Sequence, residues 1–93
     1  MKAQMFNFSE WVNETDPNIL KEKYKGRLKK AGFGILGEVE HHFNPFGYTL
    51  LFLLSESHFA IHTFPEEGKS YIELSSCIES PFIAFKNPYN NRR

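Results

Sequence analysis

Ninety-three residues with no formal net charge make one small domain, residues 1–93, with no global field to draw nucleic acid or a membrane surface. Ten phenylalanines supply large apolar pieces to a chain that buries only about 60–65% of its unfolded surface, so association with a second copy is expected to help it. One cysteine excludes an internal disulfide, the start leads into no long apolar stretch or signal peptide, and the longest apolar run, Leu50–Leu54, is far short of the roughly 20 residues a membrane helix needs, so a cytoplasmic location is expected.

In chain order, residues from Lys2 to Phe8 read as a short first strand. Asp16-Pro17 is a helix start, with Asp as the cap and Pro in the first turn. Leu20, Tyr24, Leu28 and Ala31 then follow at helical spacing and define one apolar face. Gly32 is the stop, and Gly26 weakens the interior by about 1 kcal/mol relative to Ala. From Ile35 the period changes to two: Ile35, Val39 and Phe43 are expected on one side of a strand, with Leu36, Glu38, Glu40 and His42 on the other. Asn44-Pro45-Phe46-Gly47 is a turn. Tyr48–Ser55 reads as a strand apolar on both faces, His58–Phe64 as the next, ended by Pro65, and Tyr71–Cys77 as the last. The tail, residues 78–93, carries Pro81 and Pro88 and a polar end, and is expected to be irregular.

The elements imply an α/β protein of the α+β type. It is a two-layer sandwich of an antiparallel sheet with one main helix on one face. The strand from Tyr48 to Leu54 sends Leu50, Phe52 and Leu54 one way and Leu51 and Leu53 the other, so it needs cover on both sides. A homodimer packed sheet against sheet provides it.

Several local patterns are structural. Gly32-Phe33-Gly34-Ile35-Leu36-Gly37 has the form G-x-G-x-x-G but follows a helix and opens a strand, the reverse of a dinucleotide site. The lysines of the helix read as a solvated face, with no aromatic platform for nucleic acid. His58 and His62 are about 13 Å apart on a strand, too far to share a metal, and no metal is expected. Cys77 alternates with Tyr71, Glu73 and Ser75 on a polar side, which makes the thiol accessible. Ser57 sits at a hairpin corner between Glu56 and His58, where a serine is ordinarily a turn residue.

A longer pattern changes the weight of that serine. His41-His42-Phe43-Asn44-Pro45-Phe46-Gly47, Ser55-Glu56-Ser57-His58, Ile61-His62-Thr63-Phe64-Pro65-Glu66 and Cys77 occur in that order along the chain. Together they resemble the self-cleavage region of the bacterial and archaeal S-adenosylmethionine decarboxylases, which carry Glu-Ser-His, Ile-His-Thr-Trp-Pro-Glu and Thr-Cys-Gly. The chain departs from that pattern at Phe64, in place of Trp, and at Ser75-Ser76-Cys77-Ile78, in place of Phe-Thr-Cys-Gly.

The resemblance implies cleavage between Glu56 and Ser57, with Ser57 converted to a covalent pyruvoyl cofactor that forms a Schiff base with the substrate amine. It implies that His62 handles the proton in processing, that Thr49 assists, and that Cys77 protonates the substrate carbon after decarboxylation. Phe43 and Phe64 would wall the substrate pocket, with Glu66 as a polar contact. The function implied is decarboxylation of S-adenosylmethionine for spermidine synthesis. Two alternatives stand beside it: decarboxylation of ornithine or arginine on the same scaffold, motivated by the altered pocket, and a short non-catalytic homologue that binds a partner chain. The family pattern continues into a further helix and strand, which motivates the last.

Overall fold

The computed structural model describes residues 3–88. Strands β1 (Phe6–Val12), β2 (Ile35–His42), β3 (Tyr48–Leu54), β4 (Ser57–Phe64) and β5 (Lys69–Ser76) form one sheet in the order β1-β5-β4-β3-β2, with every pairing antiparallel. Helix α1 (Pro17–Ala31) links the two edge strands, and α2 (Glu79–Lys86) follows β5. Both helices pack on the same face, so among the described residues the other face of the sheet is bare.

Helix α1 begins and ends where its sequence demands. The Asp16 carboxylate accepts from the N–H groups of Asn18 and Ile19 at 2.9 and 3.1 Å, satisfying two of the free first-turn donors. Gly32 takes φ 107°, a conformation open to glycine, and its N–H returns to Lys29. Leu20, Tyr24 and Leu28 are fully buried against Leu50, Phe52, Phe59, Ile61, Ile72 and Leu74 of the sheet. Tyr24 keeps its hydroxyl satisfied by donating to Glu10 at 3.2 Å; burial first, and that carboxylate second, push its phenol up to about 12.

Three expectations are corrected. The first strand runs Phe6–Val12, not Lys2–Phe8, because Phe6, Phe8 and Val12 alternate onto the core while their backbone pairs with Ser76 through Ser70; Lys2 lies outside the described residues. Along β2, Ile35 and Val39 do not share a face. The register with β3 slips between Ile35 and Gly37, and such a bulge reverses the side every later residue presents. Ile35 packs on the core, while Val39 is 67% exposed on the bare face.

The third correction concerns the tail. Residues Glu79–Lys86 are helical, although the expectation was irregular chain. Pro81 falls in the first turn, where its missing N–H costs nothing. Phe82 and Phe85, three residues apart, are then buried on one side, and Phe85 packs against Tyr24 and Phe59. Arg27 of α1 locks the end of α2 by donating twice to the Phe85 carbonyl, at 3.1 and 2.9 Å. Two helices therefore share the cover that one was expected to give.

Candidate functional site

A two-residue turn, Ser55-Glu56, joins β3 to β4. Glu56 has φ 56° in this turn, a left-handed conformation that costs a non-glycine residue about 1–2 kcal/mol. Its carbonyl oxygen accepts two donors from the end of β5: the backbone N–H of Cys77 at 3.3 Å and the Cys77 thiol at 3.1 Å. Cys77 lies one residue beyond the strand and is exposed, as its polar side implied. The carbonyl that precedes Ser57 is thus strained, polarised and within reach of a thiol.

The Ser57 side chain turns the other way, toward the helices, and is 8% exposed. Its hydroxyl donates to Ser76 Oγ at 2.7 Å. Ser76 is the cross-strand partner of Ser57 and is fully buried. No sequence motif singles out Ser76. Counting back in pairs from the four-residue Pro65–Gly68 connection between β4 and β5 finds it, because Phe64 pairs with Lys69 and the unbroken register then sets Ser57 opposite Ser76.

The other expected residues gather elsewhere. Phe43, Thr49, His62, Phe64 and Glu66 line one pocket of about 320 Å³, together with Phe46 and Tyr48. Thr49 and His62 face each other across the β3–β4 pair, with Thr49 Oγ1 3.2 Å from His62 Nδ1. Tyr48 donates its hydroxyl to Glu40; burial, and then this carboxylate, raise its phenol well above the ordinary range. Phe64 continues outward into an aromatic group, with Trp11 5.8 Å away and Tyr71 5.2 Å beyond Trp11, centroid to centroid.

Ser57 and His62 lie on one strand, five residues apart, and on opposite faces of the sheet. That separates them by about 16 Å along the strand. Within one chain the candidate residues gather in two places, the Glu56–Ser57–Cys77 corner and the Thr49–His62 pocket, which the structure does not join. Between them on the bare face lies an apolar cleft of about 490 Å³ lined by Val39, Leu51, Leu53 and His58.

Comparison with known proteins places these features in context. The family model for S-adenosylmethionine decarboxylase matches residues 6–87. An S-adenosylmethionine decarboxylase proenzyme of Prochlorococcus marinus (strain MIT 9313) is 39% identical over 62 residues, covering 67% of this chain and 50% of the relative. A protein of the same name from Persephonella marina is 41% identical over 58 residues, 62% of this chain and 44% of the relative. A third, from Thermodesulfovibrio yellowstonii, is 39% identical over 75 residues, 74% and 56% of the two chains. The chain spans about half the length of the curated relatives it matches. The crystal structure of the adenosylmethionine decarboxylase from Aquifex aeolicus VF5 superposes with a TM-score of 0.69 at 21% identity, over 100% of this chain and 86% of that one, and so shares the fold.

Proposed function

Because the chain belongs to the S-adenosylmethionine decarboxylase family, we propose that it is a proenzyme that cuts its own backbone between Glu56 and Ser57 and then decarboxylates S-adenosylmethionine, in the cytoplasm, toward spermidine. The observation that carries this reading is the pair of donors that Cys77 sets on the Glu56 carbonyl, at 3.3 and 3.1 Å, beside a serine hydroxyl. Attack of Ser57 Oγ on the Glu56 carbon turns the peptide into an ester, and the hydroxyl proton ends on the Ser57 nitrogen. The negative charge that develops on the Glu56 oxygen is met by the N–H and thiol already in place. The left-handed strain at Glu56 is released when the bond breaks. Removal of the Ser57 Cα proton then expels the Glu56 carboxylate, and hydrolysis releases ammonia.

An intact serine in this setting fits the making of a pyruvoyl group. That group supplies a ketone which condenses with a substrate amine and accepts the electron pair left by carbon dioxide. Cys77, exposed beside the new chain start, is the proton donor to the substrate carbon. Phe43 and Phe64 supply aromatic walls and Glu66 a carboxylate on one pocket.

His62 and Thr49 take their processing role through a homodimer. His62 is about 16 Å from Ser57 of its own chain, so the proton handler for one corner comes from a second copy. Bare face on bare face, with strands antiparallel, sets the His62 end of one β4 over the Ser57 end of the other. The same packing covers Val39, Leu51 and Leu53, which are 46–67% exposed in one chain. Among the described residues no helix is long and apolar enough to cross a membrane.

Intact-mass measurement on freshly purified protein is the test. Two fragments meeting at Glu56/Ser57 are expected, the second lacking a free amine at its start, and Ser57→Ala is expected to remain one chain. A single full-length species from the unaltered protein, after prolonged incubation, overturns the proposal.

A further inference from the structure

We propose that Ser76 is a positioning residue for the nucleophilic hydroxyl of Ser57, an inference that rests on the self-cleavage reading above. The register of β4 with β5 sets the two serines opposite each other on the helix-facing side of the sheet. Ser57 donates its single hydroxyl hydrogen to Ser76 Oγ at 2.7 Å. That bond directs the hydrogen away from the reacting carbon and leaves the lone pairs of Ser57 Oγ for attack.

Ser76 can act as a fixed acceptor because its own hydroxyl is held at two further points. It accepts the Ile78 N–H at 3.0 Å and donates to the Ile78 carbonyl at 3.2 Å. Ser76 is fully buried and Ser57 nearly so, which limits the water that could compete for the bond between them. The next residue, Cys77, holds the oxygen of the carbonyl to be attacked. Two consecutive residues at the end of β5 therefore fix both reacting partners: Ser76 the nucleophile and Cys77 the electrophile. In the step they serve, the Ser57 Oγ–Glu56 carbon bond forms, the Glu56–Ser57 carbon–nitrogen bond breaks, and the hydroxyl proton passes to nitrogen, so nothing further is consumed.

The competing role is structural, in which Ser76 merely satisfies a buried hydroxyl. Threonine and valine separate the two roles, since they have the same shape and differ in the hydroxyl. Self-cleavage of full-length Ser76→Thr and Ser76→Val is followed by intact mass over time, with circular dichroism to confirm folding. Ser76→Thr is expected to cleave within about threefold of the unaltered chain, and Ser76→Val at least about tenfold more slowly, the effect of one lost hydrogen bond in the reacting geometry. A folded Ser76→Val that cleaves as fast as Ser76→Thr overturns the proposal. If Ser76→Val does not fold, Ser76→Ala takes its place, and cleavage at the unaltered rate is the overturning result. An unaltered chain that stays whole removes the maturation reading and the role of Ser76 with it. Cleavage of the unaltered chain with no difference between Thr and Val removes the role of Ser76 alone.

Discussion

At the scale of single residues, the corner is marked by its backbone shape. Glu56 is the one described non-glycine residue with a positive φ, and it sits on the bond proposed to break. Elsewhere the chain gives such conformations to glycine, at Gly32, Gly47 and Gly68. Glycine at position 56 would fit the turn without strain, so under the proposed cleavage Glu56 holds strain in the bond that is cut. In a Ser57→Ala background, which keeps the chain whole, Glu56→Gly is expected to stabilise the fold by about 0.5–1 kcal/mol in urea unfolding. With Ser57 present, the same change is expected to slow self-cleavage several-fold. An unchanged or lowered unfolding midpoint would show that the turn holds no strain to release.

At the scale of elements, what matters is which segments carry the core under the site. α2 is short, and an isolated helix of its length is unstable in water. It forms because Phe82 and Phe85 are buried and because Arg27 caps its far end and stacks on the Phe85 ring 4.2 Å from the centroid. Phe85→Ala is expected to cost about 3–5 kcal/mol in urea unfolding, as for large aromatic deletions in packed cores. Ile83→Ala on the exposed side of the same helix, at 48% exposure, is expected to cost under about 0.5 kcal/mol. Equal costs at the two positions would show that α2 is held by its own propensity and not by docking. The bulge in β2 acts at this scale too, because it turns Val39 onto the bare face beside Leu51.

At the scale of the whole molecule, one chain is a layer of helices on a sheet whose other side is uncovered among the described residues. Val39, Leu51 and Leu53 form an apolar stripe there, between the corner and the pocket. Leu53→Lys leaves an isolated chain almost unharmed, since the side chain is 60% exposed, but places a charge inside a face-to-face dimer. Light scattering is expected to show the variant shifted toward monomer, and intact mass to show slower self-cleavage because each corner loses the partner's His62. A Leu53→Lys protein that stays dimeric and cleaves normally would place the interface elsewhere. Much of this was legible in the sequence. The caps of α1, the apolar face of that helix, the three hairpin strands and the two-sided β3 follow from spacing and turn chemistry, which act over a few residues. The candidate residues were legible as well, through a family pattern carried by Ser57, His62 and Cys77. Other features depend on partners distant in the chain. The helicity of the tail depends on Tyr24 and Phe59 waiting for Phe85, the role of Ser76 on a register fixed by a turn, and the facing of Val39 on one extra residue in β2. Local pattern therefore determined α1 and the strands β2 to β5, and pointed to the candidate side chains. Only the tertiary structure decided that those side chains divide into two groups, because a strand reverses its side with every residue and His62 stands five positions after Ser57.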